Sequence, residues 1–295
     1  MLVIHNPTAG RRRVHHLWRV LDILMGHGVR LEVVETRWPG HASVLARDAA
    51  RAGVRLVVAA GGDGTIAEVA GGMLGAEGRL GIIPLGTANV LAHELRLGFA
   101  ASEIAATLVS GRVATLRPGV ARSAAGSRLF VQMLGIGFDA HVVHHLSRPV
   151  KRIIGRGAYV VQTIRELPRY GFETIELEAD GVAYRAGSVI VCKGMLYGGP
   201  YMLAPEAQPG LPGFSVVLFE RAGIASALRA GAALPLNRMA RLPGVTRLRA
   251  RHVAFAGAGG LPAQSDGDAA GCTPLDVSDA NASIDVLVGA SPARP

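Results

Sequence analysis

Hydrophobic positions in the first third of the chain alternate between two periods. Residues 2–5 form a short apolar run that ends at Asn6-Pro7, the signature of a strand entering a turn. Val14, Leu17, Trp18, Leu21, Leu24 and Met25 then recur at helical spacing, with Arg19 and Asp22 on the opposite face. Residues 31–36 read as a second strand. Ala42, Leu45, Ala46 and Ala49 line one side of a second helix, and Arg47, Asp48 and Arg51 line the other. The uninterrupted apolar run 56–60 suits a parallel strand buried on both faces, 65–74 predicts a helix, and 80–84 predicts another buried strand. Strands and helices in this alternation predict βαβ units and a parallel sheet.

Beyond residue 112 strand-like runs dominate, at 113–122, 128–134, 173–179, 186–192, 214–219, 246–256 and 282–288. Helical patterns interrupt them at 140–146, 152–167 and 224–233. Strands following an α/β block predict a second, mainly antiparallel domain. Ser110-Gly111 and Pro118-Gly119 punctuate the change, giving an α/β domain over residues 1–114 and a β-rich domain over 115–290.

Composition narrows the function. With 49% hydrophobic and 18% charged residues in 295, the chain can bury a core and is not disordered as a whole. Thirty-one Lys and Arg against 22 Asp and Glu give a net charge of +9, which calls for an anionic partner: nucleic acid, a nucleotide or an acidic membrane surface. Nucleic acid is set aside, because aromatics are only 5% and no known nucleic-acid module is present. Two cysteines form no disulfide framework or zinc pattern. No apolar run is long enough to span a bilayer and the N-terminus lacks a signal-peptide pattern, so a cytoplasmic protein is expected.

Three turns carry the candidate chemistry: Asn6-Pro7-Thr8-Ala9-Gly10, Gly61-Gly62-Asp63-Gly64-Thr65 and Gly86-Thr87-Ala88-Asn89. Each falls where a predicted strand ends and a helix begins, the edge of a parallel sheet where ligands bind. Glycine permits close backbone approach to a phosphate, and a helix start offers free N–H groups. Thr8, Thr65 and Thr87 add hydroxyls, and Arg11, Arg12 and Arg13 add charge. The bland alternative, tight βα turns and nothing more, serves one such turn better than three. Asp63 among phosphate-binding amides would repel the ligand unless Mg²⁺ bridges them, and Glu68 follows one helical turn after Thr65. The competing role for Asp63 is a helix N-cap. Gly135-Ile136-Gly137-Phe138-Asp139-Ala140 reads as a tight structural turn; His141 and His145, one helical turn apart, could hold a metal but lack the HExxH glutamate, so with His144 they read as half-exposed helix residues.

Asn6-Pro7-x-x-Gly10, Gly61-Gly62-Asp63-Gly64-Thr65-x-x-Glu68 and Pro84-Leu85-Gly86-Thr87-Ala88-Asn89 resemble the diacylglycerol kinase catalytic-domain family, which includes bacterial lipid kinases, sphingosine kinases and ceramide kinases. The similarity continues through Gly135–Ala140, Tyr197-Gly198-Gly199-Pro200, Ala204-Pro205-Glu206-Ala207 and Asp266-Gly267-Asp268. The resemblance implies an ATP-dependent kinase acting on a lipid hydroxyl, with its active site in a cleft between an α/β and a β-rich domain. It further implies that Asn6, Pro7, Thr8, Ala9, Gly10, Thr36, Gly61, Gly62, Asp63, Gly64, Thr65, Glu68, Gly86, Thr87 and Asn89 bind ATP. Asp63 and Asp268 would hold Mg²⁺. Asp266 and Asp268 stand at the family's late acidic pair, which supplies the general base; the usual Glu is Asp268 here, so both remain candidates. Val90 replaces a frequent Asp. Pro209–Phe214 lacks the Asp-Gly that holds a structural Mg²⁺ in many relatives, which puts that second metal in doubt.

A lipid acceptor requires a membrane surface. Arg148, Lys151, Arg152 and Arg156, interleaved with Val150, Ile153 and Ile154, could lie on an anionic bilayer at its inner face, or form a solvated helix face. An NAD kinase shares the Gly-Gly-Asp-Gly turn, and a catalytically lost nucleotide- or membrane-binding relative would explain the departures; the first and third turns favour the lipid kinase over the former, and the retained phosphate turns and both acidic positions favour it over the latter. The acceptor's identity stays open among diacylglycerol, a sphingoid base, ceramide and similar alcohols, and the oligomeric state between monomer and homodimer.

Overall fold

A computed structural model describes residues 1–9, 14–145, 156–257 and 260–289. The chain divides into two units, Met1–Leu116 with the segment from Asn281 onward, and Arg117–Ala280.

The first unit follows the expected alternation: β1 (Leu2–His5), α1 (Val14–Gly26), β2 (Glu32–Glu35), α2 (His41–Arg51), β3 (Leu56–Gly61), α3 (Asp63–Gly72), β4 (Arg79–Pro84), α4 (Val90–Glu94), α5 (Ala101–Ser110) and β5 (Arg112–Leu116). The sheet order is β2-β1-β3-β4-β20-β5, where β20 is Ile284–Val288. All neighbours pair in parallel except β5 with β20. Leu17, Leu21 and Leu24 of α1 and Ile104 and Leu108 of α5 pack on Val3, Val58, Ala60 and Ile83. Val57 and Ala59, alternating with these, are buried as well, which accounts for the uninterrupted apolar run of β3. From β1 the chain goes outward to β2 on one side and returns to β3 on the other. The order therefore switches between β1 and β3, where a crevice opens beyond the carboxyl ends of the strands.

The second unit is a sandwich of two six-stranded antiparallel sheets. Its strands are β6 (Gly119–Ser123), β7 (Gly126–Phe130), β8 (Met133–Gly137), β9 (Ile175–Ala179), β10 (Val182–Ala186), β11 (Ser188–Cys192), β14 (Phe214–Phe219), β15 (Val245–Ala250), β16 (His252–Phe255), β17 (Pro262–Ser265), β18 (Asp268–Cys272) and β19 (Leu275–Asp279). Leu196–Tyr197 (β12) and Tyr201–Met202 (β13) form a small separate hairpin. The sheet orders are β10-β9-β16-β19-β6-β7 and β15-β14-β11-β8-β17-β18. Their inner faces meet in a core of Ile175, Leu177, Val253 and Val277 against Leu134, Ile136, Val191 and Val216. Helices α6 (Phe138–His145), α7 (Arg156–Glu166) and α8 (Ile224–Ala233) complete the unit.

Three expected strands are divided. Residues 113–122 become β5 and β6 in different units, separated at Arg117-Pro118. Residues 128–134 break at Val131-Gln132, whose amides leave the ladder for a side chain described below. Residues 246–256 break at Arg251, where the chain passes from one sheet to the other. Residues 282–288, read with the β-rich half, instead lie between β4 and β5 of the first sheet.

The loop 209–214 does not suit a structural Mg²⁺, because a lysine already fills its oxygen cage. The fully buried Lys193 ammonium donates to the carbonyls of Leu211 and Gly213, both at 3.0 Å, and to Asp279 Oδ1 at 2.7 Å. Asp279 Oδ2 accepts the Gly213 amide at 2.6 Å, closing the ring of bonds. Burial pulls the lysine's pKa down, and Asp279 opposes that shift. Lys193→Met leaves these oxygens without their cation, and a loss on the order of 3 kcal/mol is expected. Urea unfolding measures it; a loss below about 1 kcal/mol would mean the pair is structurally idle.

Candidate active site

The turns after β1, β3 and β4 meet at the switch point of the first sheet. Asn6 sits just past β1 and donates from Nδ2 to Thr65 Oγ1 at 2.9 Å, joining the first turn to the second. Its Oδ1 accepts the Thr8 amide at 3.0 Å and the Thr8 hydroxyl at 2.8 Å, a side-chain-closed turn that includes Pro7 and Ala9. Gly10 and Arg11, Arg12 and Arg13 lie outside the described residues.

The second and third turns touch backbone to backbone. A Cβ on Gly86 would lie 2.6 Å from Gly62 Cα, and one on Gly61 would lie 2.6 Å from the Thr65 side chain. Only glycines let these turns close, so two of the motif's glycines serve loop packing. Gly62 is also the N-cap of α3 and contributes no capping side chain, which keeps the helix start a site for an anion. Gly64 is half-buried, Thr65 buried and Thr87 exposed.

Asp63 reaches across to the third turn. Its Oδ1 accepts the Leu91 amide at 3.2 Å, and the carboxylate also draws on the backbone at Val90 and Asn89. Asp63 is therefore not the N-cap of its own helix, a position held by Gly62; its carboxylate instead accepts an amide at the start of α4, whose N-cap is Asn89. Burial pushes the Asp63 pKa up, against these backbone bonds. A cation beside this carboxylate offsets that burial, and Asn89 Oδ1, buried without a hydrogen-bond partner, adds a second oxygen on the same turn. Oxygen donors of this kind fit Mg²⁺. Glu68 sits differently: its two oxygens accept the Gly40 amide at 2.9 Å and the Ala42 amide at 3.2 Å, tying α3 to the start of α2. Thr36 continues the β1–β2 ladder through its amide to the His5 carbonyl at 2.8 Å. It lines a groove of about 540 Å³ with Trp38 and His41, whose rings stack at 3.8 Å.

In the second unit Asp266-Gly267 is the turn of the β17–β18 hairpin, both residues at positive φ as a two-residue primed turn requires. Asp266 Oδ2 accepts the Val131 amide at 2.8 Å, and Oδ1 accepts those of Gln132 and Met133, both at 3.0 Å. Asp180-Gly181, the β9–β10 turn, repeats this arrangement, with Asp180 accepting the Arg251 and His252 amides. Asp268 is different. Its side chain is 47% exposed, with Arg128 Nη2 3.9 Å from its Oδ2.

Asp139, which sequence reasoning left inside a structural turn, joins this hairpin. Its Oδ2 accepts Gln264 Nε2 at 2.7 Å, its Oδ1 accepts the Tyr197 hydroxyl at 2.5 Å, and Gln264 Oε1 accepts the Gly267 amide at 2.9 Å. A Cβ on Gly135 would strike both Gln264 Nε2 and Asp139 Oδ2, so the glycine keeps room for that bond. An acid two residues after a Gly-x-Gly pair is the available signal.

No helix among the described residues is long and apolar enough to cross a membrane. Residues 1–121 match the diacylglycerol kinase catalytic domain, and residues 132–288 match the YegS C-terminal NAD kinase beta sandwich-like domain. Among curated relatives, a diacylglycerol kinase of Bacillus subtilis is 28% identical over 77% of this chain and 76% of its own. A Pseudomonas putida protein named "Probable lipid kinase YegS-like" is 30% identical over 70% of this chain and 69% of its own. A diacylglycerol kinase of Staphylococcus carnosus is 23% identical over 96% and 93%. In fold, a crystal structure described as a diacylglycerol kinase from Bacillus anthracis superposes with a TM-score of 0.68 at 18% identity, covering 98% of this chain and 96% of the other. With both domain types matched in order along the chain, it belongs to the diacylglycerol kinase family and is a phosphotransferase.

Proposed function

We propose that the protein transfers the γ-phosphate of ATP to the hydroxyl of a lipid acceptor. The observation that carries this reading is the meeting of three β–α turns at the switch point, joined by the Asn6–Thr65 bond and the Gly62–Gly86 contact. In this reading Asn6, Thr8, Thr65, Thr87 and the amides of Gly61–Gly64 and Gly86 hold the phosphates. The groove beside Thr36 takes the base against Trp38. Glu68 positions α2 and α3 relative to one another and does not touch the nucleotide. Asp63 would hold Mg²⁺, which when bound would supply neutralisation of charge on the transferring group. Transfer then needs a base for the acceptor proton. We assign that role to Asp268, which is half-exposed, whereas Asp266 spends both oxygens on the amides that fix the hairpin and is a positioning residue.

The names of the curated relatives favour diacylglycerol as the acceptor. NAD is disfavoured, since beyond the shared Gly-Gly-Asp-Gly turn the resemblance to NAD kinase rests on the sandwich fold of residues 132–288. Membrane contact is assigned to the basic cluster and the helix after it. Arg148, Lys151 and Arg152 lie outside the described residues, and Arg156 opens α7, on which Val161 and Ile164 are 57% and 63% exposed.

The test is transfer of labelled γ-phosphate from Mg-ATP into diacylglycerol, presented in anionic vesicles or in detergent. Organic-phase product is expected, falling about 10²- to 10⁴-fold in Asp268→Asn. Asp266→Asn is expected to lose thermal stability first. Glutamine at Arg148, Lys151, Arg152 and Arg156 lowers the rate on vesicles and spares it in detergent. Label on NAD alone, in a lipid-free assay, would overturn the lipid reading; equal rates for Asp268→Asn and wild type would remove the base.

Asp63 carries a stability signature as well. With its folded pKa raised by burial, the folded state binds this proton more tightly than the unfolded state does. Ionisation therefore costs stability as pH rises above the unfolded carboxylate value. Asp63→Asn is expected to melt higher than wild type at about pH 7, with the gap closing towards about pH 4, while transfer activity collapses. A lower melting temperature at neutral pH would show that the carboxylate's charge holds the turns together.

A further inference from the structure

Helices α6 and α7 bring together three side chains that the proposed kinase chemistry does not use. His141 and His145 lie one turn apart on α6, and Glu166 ends α7. One ligand-capable atom from each lies within 4.8 Å of the others. His141 Nε2 is 3.1 Å from Glu166 Oε2, close to the edge of a tetrahedron whose ligands sit about 2.0–2.2 Å from a central ion.

The surrounding bonds orient each group. His145 Nδ1 is 2.9 Å from the His141 carbonyl, so Nδ1 carries the hydrogen and Nε2 keeps its lone pair. Glu166 is 5% exposed; its Oε1 is held by Gln162 Nε2 at 2.9 Å and lies 3.6 Å from Arg169 Nη1, leaving Oε2 for a ligand. The Tyr170 hydroxyl is buried without a hydrogen-bond partner, and its ring packs 4.9 Å from that of His141. Second-sphere bonds to a backbone carbonyl and to a fixed carboxylate oxygen are what ligating histidines and carboxylates require.

We propose that His141, His145 and Glu166 form a divalent transition-metal site that staples α6 to α7. Two imidazoles and one carboxylate suit Zn²⁺, Co²⁺ or Ni²⁺ and discriminate against Mg²⁺ and Ca²⁺. His145 is exposed, so the fourth position is open to water, the ligand count of a zinc site with three protein donors. The site is chemically separate from the Mg²⁺ of the kinase reaction and does not depend on that reading.

Untagged, dialysed protein is titrated with Co²⁺ alone, followed by its visible tetrahedral absorption and then by displacement with Zn²⁺. One equivalent is expected, insensitive to excess Mg²⁺, with Zn²⁺ raising the melting temperature. His145→Ala, on the exposed side, is expected to weaken binding at least tenfold and to abolish the thermal shift. His144→Ala keeps both, because that ring faces the Ala263 carbonyl at 3.0 Å. No tetrahedral band in wild type, or an undiminished one in His145→Ala, would overturn the site and leave an ordinary His–Glu ion pair.

Discussion

The backbone contact between Gly62 and Gly86 is the constraint on which the first unit's candidate site depends. Two loops that leave neighbouring parallel strands approach so closely that a Cβ on Gly86 would lie 2.6 Å from Gly62 Cα, while one on Gly62 would make a tight 3.3 Å contact with Gly86 Cα. That approach brings the carboxylate of Asp63 onto the amides that begin α4 and sets Thr65 where Asn6 can reach it. Glu68, one turn further along α3, ties the same helix to the start of α2. Four segments distant in sequence are thereby held to one geometry by one steric contact and a few amide–carboxylate bonds. Preorganisation of this kind is what phosphoryl transfer asks of a protein, since positioning and charge neutralisation carry the reaction.

The second unit uses aspartate in the same economical way. Asp180 and Asp266 each begin an Asp-Gly hairpin in the left-handed region, and each accepts two or three amides from a neighbouring segment. The same arrangement at Asp180, a turn with no assigned chemistry, supports the proposal that Asp266 positions the hairpin and that Asp268 is the base. Lys193 performs the complementary task. Its ammonium gathers two carbonyls and a carboxylate, an oxygen set that could otherwise suit a small hard cation. Each device satisfies buried backbone groups that the loops would otherwise leave unpaired.

Much of this was legible in the sequence, for identifiable reasons. Parallel strands buried on both faces advertise themselves as apolar runs, so β1, β3 and β4 and the turns beyond them were located correctly. The β-rich half was recognised in class, but periodicity does not say which sheet a strand joins. Residues 282–288 therefore went to the wrong sheet, and 113–122 read as one strand although Pro118 interrupts it. Asp266-Gly267 carries a strong short-range turn signal, and it forms the β17–β18 hairpin turn. Glu68 and Asp139 drew their bonding partners from residues 25 or more positions away, and no local pattern announces such contacts. Two of the glycines make room for neighbouring protein atoms, the tight-turn role that the sequence also offers beside phosphate approach.

The most direct test of the account is ATP affinity in Gly86→Ala, measured by titration calorimetry beside circular dichroism. The added methyl must displace the Gly62 backbone, so affinity is expected to fall at least tenfold, about 1.4 kcal/mol, with secondary structure unchanged. Gly26→Ala, where a Cβ meets nothing within 4 Å, serves as the control and keeps wild-type affinity. An unaltered ATP affinity in Gly86→Ala would contradict the claim that this contact sets the geometry of the nucleotide site.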